Sequence, residues 1–139
     1  MRHIAFEDFV DIHHLLARYG HVIDEAVTVG RWGGLEEIFT TDIIFDARPA
    51  GYDLMSGIDV VREAWSTGMV KHPRGHHATN VMITGIDGDL ASVTSKGISV
   101  FVGDSGTGEV SSVIYRDELR RQANGWRIAR RESIRLFPA

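Results

Sequence analysis

Apolar side chains recur with a helical period in the first part of the chain. Between Phe6 and Val27 they return every three or four residues, at Phe9, Ile12, Leu16, Tyr19, Ile23 and Ala26. This spacing predicts a long amphipathic helix whose apolar stripe packs against a core. Gly30 and the pair Gly33-Gly34 predict its end, because glycine disfavours a helix interior.

Short elements follow. Residues 35–39 predict a second, short helix, and residues 43–47 have the β-branched and aromatic composition of a strand. Pro49 and Gly51 predict the end of that strand. Another amphipathic helix is expected to begin at residues 56–59. Its buried side is formed by Val60, Val61, Ala64 and Trp65.

From residue 76 onward the apolar period becomes that of strands. Four strands are predicted, over residues 76–86, 90–102, 110–120 and 126–136. Turn sequences separate them, at Asp87-Gly88, at residues 103–109 and at Asn124-Gly125. Helices first and hairpin-linked strands afterwards predict an α+β fold, with the helices on one face of a curved antiparallel sheet.

The composition is that of one globular domain over residues 1–139, since 43% of the residues are hydrophobic and 24% are charged. Fifteen Lys and Arg residues against nineteen Asp and Glu give a net charge of -4. This charge disfavours nonspecific nucleic-acid binding. The chain has no apolar run of about 18 residues and no signal-peptide pattern, so we expect no membrane span.

Several cofactor and nucleophile classes are excluded or disfavoured. The chain has no cysteine, which excludes disulfides, thiolate nucleophiles and zinc fingers and fits a cytoplasmic protein. The glycine-rich residues 103–109 join two strands and lack the lysine of a phosphate loop. His13-His14 and His72 lack metal-ligand spacing with nearby carboxylates. We therefore expect neither a metal nor an organic cofactor.

Two groups stand out as candidate acid–base residues. Asp24 lies at the edge of the apolar stripe, where it can reach the space between helix and sheet or be held by solvent. His76 and His77 are neighbours on a strand, so only one can face the pocket. An imidazole suits proton abstraction near neutral pH. A buried histidine that donates to a carbonyl is the alternative interpretation.

The last predicted strand and the first helix add two more candidates. Strict alternation puts Arg131 on the same face as Arg127 and Ala129, opposite Trp126. That face lines either the pocket or the solvated outside of the sheet. Tyr19 lies on the helix stripe, either as a hydrogen-bond donor to a substrate oxygen or as an ordinary core aromatic residue.

Three segments resemble the nuclear-transport-factor-2-like superfamily, in particular its SnoaL-like branch. They are ARYGHVID at 17–24, HHATN at 76–80, and YRDELRR with NGWRIARR within 115–131. The resemblance covers about residues 5–136. It implies a cone, in which a curved sheet and a long first helix enclose a deep, mostly apolar pocket. Many members of the superfamily are homodimers or larger assemblies, so a homo-oligomer is expected here.

The resemblance also implies roles for the candidates. In related lyases the first-helix aspartate, here Asp24, partners a pocket histidine. The pattern of a histidine four residues before an asparagine, here His76 and Asn80, is shared by dehydratases and dehydrohalogenases. His77 would then face solvent or a second subunit.

Two more positions match individual relatives. In hexachlorocyclohexane dehydrochlorinase the pocket arginine follows the strand's tryptophan by five residues, as Arg131 follows Trp126. A bile-acid dehydratase has a tyrosine five residues before the helix aspartate, which is the place of Tyr19. Scytalone dehydratase needs a second histidine on a later strand, and this chain has none after His77.

Three functions compete. The first is a cofactor-independent lyase that eliminates water or halide from a hydrophobic small molecule, with His76 as base. The second is an isomerase or polyketide cyclase similar to ketosteroid isomerase, which uses a strand aspartate with a tyrosine and a protonated aspartic acid. Asp46, Tyr19 and Asp117 match those places. The third is a non-catalytic ligand-binding domain.

The same patterns predict which surfaces are covered. Four apolar residues are expected in the interior or the pocket wall: Leu16, Ile23, Trp65 and Ile98. A sheet with helices on one face leaves the other face exposed. We expect a homodimer through that outer face, formed by Val93, Val100, Val113 and Tyr115 among serines and threonines.

Overall fold

The computed structural model describes residues 3–137. Helix α1 covers Phe6–Val29 and is slightly longer than its apolar pattern predicted. It ends at Gly30, whose left-handed φ of 74° is accessible to glycine and whose N–H donates to the carbonyl of Ala26. Neither helix among residues 3–137 is long and apolar enough to cross a membrane.

The buried face of α1 is the predicted stripe except near its beginning. Phe9 was expected on that stripe, but its side chain is 46% exposed. In the first turn Asp8 faces the sheet instead. Its Oδ1 accepts hydrogen bonds from Arg121 Nη1 at 2.6 Å and from Trp126 Nε1 at 3.2 Å. A paired carboxylate therefore occupies the place that the pattern assigned to an aromatic ring.

Between α1 and the long strands lie five short elements, one of which is a 3-10 turn at Arg48–Ala50. Another 3-10 turn, Leu35–Glu37, replaces the short helix predicted over residues 35–39. Strand β1 is Phe39–Asp46, strand β2 is Met55–Ser56, and helix α2 is Ile58–Ser66.

The four long strands agree with their sequence predictions to within two residues at each end. Their bounds are β3 Gly75–Asp87, β4 Leu90–Val102, β5 Gly108–Gln122 and β6 Gly125–Phe137. They form one six-stranded sheet with β1 and β2, in the order β2-β1-β6-β5-β4-β3.

The sheet confirms the predicted α+β class with one correction. All neighbouring strands are antiparallel except β1 and β6, which are parallel. Hairpin turns force the directions of β3 to β6, whereas most of the chain separates β1 from β6 and leaves their relative direction to packing.

The inward face of the sheet differs from the one expected. On β4 and β5 the odd-numbered residues face the helices, so Val93 and Tyr115 are buried and Val113 lines a cavity. Ile98 was expected inside, but it points outward and is 40% exposed. Leu16, Ile23 and Trp65 are buried as predicted. Three of the four residues assigned to the outer face therefore belong to the interior.

An extra residue in β6 changes the direction of Arg131. Glu118 pairs with Arg130, whereas Leu119 pairs with Ile128, so Ala129 is left over as a bulge. Strict alternation predicted that Arg131 lies opposite Trp126. The bulge instead puts both residues on the face that contacts α1, because Trp126 bonds Asp8 and Arg131 stacks on Tyr19.

The outer face of the sheet carries apolar side chains in its centre. We call these residues the outer strip: Ile98, Val100, Val110, Ile114, Ile134 and Leu136. Ile114 pairs with Ile134 across β5 and β6, and Val100 pairs with Val110 across β4 and β5. Of the four residues predicted for this face, only Val100 lies on it.

Candidate active site

Helix α1 comes unusually close to strand β3 at Gly20. A Cβ atom at this position would lie 2.8 Å from the His76 carbonyl oxygen and 3.3 Å from the His76 Cβ. Any side chain would push the helix away from the strand. Gly20 is part of the motif at 17–24, but its packing role could not be predicted from sequence periodicity. It brings the next turn of α1, with Asp24, to His76.

Asp24 and His76 form a hydrogen-bonded pair, as the sequence predicted. His76 Nδ1 lies 2.6 Å from Asp24 Oδ1, and the backbone N–H of His76 donates to Asp24 Oδ2 over 3.0 Å. One carboxylate therefore holds both the ring and the backbone of His76. The two side chains are 29% and 12% exposed, respectively. His77, its neighbour, is exposed.

The pairing determines the tautomer of His76. An ionised carboxylate only accepts hydrogen bonds, so Nδ1 carries the proton and Nε2 carries the lone pair. Burial lowers the pKa of His76 below its ordinary value of 6.5, against the opposing effect of Asp24. His76 is therefore a neutral base at neutral pH.

A buried ion pair lies beside this dyad. Arg131 Nε and Nη2 each donate to an Asp117 carboxylate oxygen over 2.7 Å. The side chains are 2% and 0% exposed, so both charges are buried. Burial alone would lower the pKa of Arg131, but Asp117 holds that pKa above its usual range.

Two tyrosines enclose the ion pair. The Arg131 guanidinium carbon lies 4.1 Å from the ring centroid of Tyr19 and 3.9 Å from that of Tyr115. Tyr19 also meets His76 edge to face, with ring centroids 5.8 Å apart. Burial raises the pKa of both tyrosines. Both are therefore neutral phenols that can donate a hydrogen bond.

His76 and the tyrosines line a cavity of about 110 Å³ between the helices and the sheet. Aromatic rings form much of its wall, at Phe45, Tyr52, Trp65 and Phe101. Serine side chains of three strands also line it, at Ser99, Ser111 and Ser133. Arg131 does not line this cavity. It borders only a space of about 10 Å³ behind the tyrosines.

A larger concavity of about 570 Å³ lies elsewhere, bounded in part by Ile4, Ile83 and Leu90. None of the predicted site residues lines it. The cavity at His76 is smaller but combines a base, phenol donors and apolar walls. We therefore take the cavity at His76 as the candidate active site.

Five of the seven residues predicted for the site do not line the cavity: Asp24, Arg131, Asp46, Asn80 and Asp117. Asp24 and Arg131 contact residues that do line it, His76 and Tyr19. Asp46 accepts from Arg48 Nε over 2.9 Å and from Arg130 Nη2 over 3.2 Å. These partners, Arg48 foremost, lower the pKa of Asp46 to about 2. Asn80 is exposed at a bulge of β3, with a left-handed φ of 51°. Asp117 is bound to Arg131 and does not line the 110 Å³ cavity.

Tyr115 and His72 line the cavity although the sequence did not indicate them. Tyr115 was assigned to the wrong face of β5, and its ring lies over Gly97, where a Cβ would come within 2.5 Å of Tyr115 Cε2. His72 Nε2 lies 3.2 Å from the Trp65 carbonyl oxygen. Gly97, on the neighbouring strand β4, was the one feature of the sequence that could have indicated that Tyr115 faces the interior.

No group of three or more His, Asp or Glu side chains within residues 3–137 is arranged to hold a metal ion. Apart from Lys71 and Arg135, the polar groups that line the cavity are two imidazoles with hydrogen-bond partners, phenols and serine hydroxyls. The arrangement suits acid–base chemistry on an organic molecule.

Comparison with known proteins identifies the family. Residues 5–132 match the SnoaL-like domain family. The chain belongs to this family. The uncharacterised protein Rv2910c of Mycobacterium tuberculosis is 30% identical over 136 residues, which cover 94% of this chain and 86% of the relative.

Solved structures share the fold. A candidate aromatic ring hydroxylase of Novosphingobium aromaticivorans is 29% identical, with a TM-score of 0.78 over 98% of this chain and 94% of that one. An NTF2-like protein with a cystatin-like fold from the same species is 25% identical, with a TM-score of 0.76 over 96% and 84%.

A third neighbour, a candidate scytalone dehydratase of the same species, is 19% identical. Its TM-score is 0.75, over 93% of this chain and 84% of that one, and it shows the fold alone. These structures confirm that the SnoaL-like chain has the NTF2-like fold that its motifs resemble.

We expect His76 to be the Nδ1–H tautomer with a pKa below 6.5, because burial disfavours the charged ring. Nitrogen-15 NMR of the imidazole rings through a pH titration measures both properties. Asp24→Asn should lower the pKa of His76 further, since it removes the charge that favours the imidazolium. Glu25→Gln, an exposed neighbour, should leave the pKa unchanged. A pKa above 6.5 or an Nε2–H tautomer would contradict the assignment.

We expect Asp117→Asn to lower the free energy of unfolding by about 3–5 kcal/mol, because it leaves the buried Arg131 charge unpaired. Asp42→Asn is the matched control, since Asp42 pairs with Arg120 at the surface. That change should cost less than about 1 kcal/mol. Urea unfolding measures both values, and equal losses would show that burial of the first pair has no special effect.

Proposed function

We propose that this protein is a cofactor-independent lyase of the dehydratase or dehydrohalogenase type, acting on a hydrophobic small molecule. The observation that carries the proposal is the Asp24–His76 pair at the cavity wall. It supplies a neutral imidazole, oriented by a carboxylate, next to an apolar space. General-base catalysis of proton removal from carbon needs this combination.

In the proposed reaction His76 Nε2 takes a proton from a substrate carbon. The C–H electron pair becomes the second bond of a C=C, and the neighbouring hydroxyl or halide leaves with its own electron pair. Asp24 stabilises the imidazolium that forms. In a dehydration the imidazolium returns its proton to the departing hydroxyl, so that water is released and His76 is neutral again.

The phenols provide the donors for developing charge. Tyr19 and Tyr115 both line the cavity and stay protonated near neutral pH. A phenol O–H aimed at a substrate oxygen stabilises negative charge there. Arg131 stacks between the two rings and is bound to Asp117. We therefore give Arg131 a positioning role rather than contact with substrate.

The comparisons support this proposal only at the level of the family. One neighbour is a candidate dehydratase and another a candidate ring hydroxylase, so the names of neighbours do not select a reaction. The isomerase or cyclase alternative relied on Asp46 or Asp117 as base. Both carboxylates are engaged by arginines, and no observation favours that alternative.

The test is turnover of a panel of small β-hydroxy and β-halo carbonyl compounds, followed by the ultraviolet absorbance of the conjugated product. We expect His76→Ala to reduce turnover to background and Asp24→Asn to reduce it at least about 10²-fold. His77→Ala is the matched control and should retain activity, because His77 is exposed.

Two outcomes would contradict the lyase proposal. Full activity of His76→Ala would show that another group is the base. Binding of small molecules without turnover of any compound would favour the ligand-binding alternative.

We further propose that two copies pair through the outer strip, as a homodimer or as part of a larger homo-oligomer. The strip is apolar, lies in the middle of the sheet face, and leaves Ile98, Val110 and Leu136 each about half exposed. A second copy would cover this surface with the same side chains.

Light scattering should give at least twice the 15.4 kDa of one chain. Ile98→Glu should shift the mass toward that of the monomer, because it puts a charge into the apolar contact. Val60→Glu should leave the mass unchanged, because Val60 of α2 is 50% exposed, although the sequence pattern placed it on the buried side. A wild-type monomer at micromolar concentration would overturn this proposal.

A further inference from the structure

The cavity at His76 carries positive charge only. Lys71 and Arg135 line it together with His72 and His76. None of its lining residues, all within the described part of the chain, is Asp or Glu. The whole chain has a net charge of -4, so the cavity differs in sign from the protein around it.

The two permanent cations lie at the open end of the cavity. Lys71 precedes β3, and its Nζ lies 5.9 Å from the centroid of the Phe101 ring near the end of β4. Arg135 lies near the end of β6, two residues beyond Ser133 on the same face and opposite Val113. Both side chains are exposed, whereas the catalytic candidate His76 is mostly buried.

Neither cation makes an ion pair within residues 3–137. Other surface arginines of this chain do pair, for example Arg120 with Asp42. The acidic residue nearest in register is Glu109, which lies opposite Phe101 on β5. It does not line the cavity. Lys71 and Arg135 are therefore available to bind an external anion.

The residues that line the cavity indicate the chemistry of the rest of the ligand, apart from its anionic group. The aromatic rings that line the cavity fit a flat apolar group, and the hydroxyls of Ser99, Ser111 and Ser133 fit polar substituents. The volume of about 110 Å³ is somewhat below the roughly 150 Å³ of an engineered cavity that binds benzene. The enclosed part of a ligand is thus about one ring.

We propose that the substrate class of this site is a small single-ring carboxylate. Its ring lies among the aromatic side chains, and its carboxylate is bound by Lys71 and Arg135 at the mouth. The claim that such a molecule is a substrate rests on the proposed lyase function. The claim that it binds is independent of that function. The planar fork of Arg135 suits a carboxylate, and Lys71 adds a second charge.

Benzoate and benzamide are the test pair, since they have nearly the same shape and differ in charge. Isothermal titration calorimetry at low ionic strength should show benzoate binding about tenfold more tightly, the effect of about 1.4 kcal/mol. Arg135→Gln and Lys71→Gln should each reduce this preference, and the double variant should abolish it. Benzamide affinity should stay the same throughout.

Arg18→Gln is the matched control, because it removes one positive charge from α1 outside the cavity lining. It should retain the preference for benzoate. If Arg18→Gln reduces the preference as much as Arg135→Gln does, net charge is the cause and the proposal is wrong. Equal affinities for benzoate and benzamide, or no binding of benzoate at about 10 mM, would also overturn it.

The binding test is independent of turnover. His76→Ala should still prefer benzoate over benzamide, although it eliminates nothing. A preference for benzoate with no turnover of any compound would reject the lyase function and keep the ligand class. Turnover of neutral compounds with no preference for benzoate would keep the lyase function and reject the ligand class.

Discussion

The buried pair of Arg131 and Asp117 is the constraint on which the interior of this protein depends. Two full charges without solvent are stable only while each satisfies the other, and both hydrogen bonds here measure 2.7 Å. The guanidinium also contacts the rings of both Tyr19 and Tyr115. Because Tyr19 also contacts the ring of His76, the ion pair positions the phenols and the base as one unit.

The second constraint is the close approach of α1 to β3. Gly20 allows it, and Asp24 then holds both the ring and the backbone N–H of His76. The base is therefore fixed by contacts from two directions, the carboxylate and the edge of Tyr19. Such preorganisation is what general-base catalysis requires, since the ring need not reorient when a proton arrives.

The cavity combines these fixed groups with an uneven charge distribution. It is lined by a neutral imidazole and two neutral phenols, and also by the exposed cations Lys71 and Arg135. In the proposed function the cations attract the ligand and the uncharged imidazole takes the proton, so the two tasks use different residues.

The sequence by itself determined the order of the elements and the α+β class, because these follow from local periodicity. The pairing of Asp24 with His76 was implied by the resemblance to SnoaL-like lyases, since the residues alone left both side chains open to ordinary structural roles. The sequence did not determine the direction of Arg131, the inward face of Tyr115, or the outward face of Ile98. Those depend on the bulge at Ala129 and on the register between strands. Shifting register by one residue turns every side chain to the other face, and only contacts between distant segments decide it. Asp46 illustrates the same limit, since Arg130, its second partner, lies 84 positions away and could be assigned only in the folded chain.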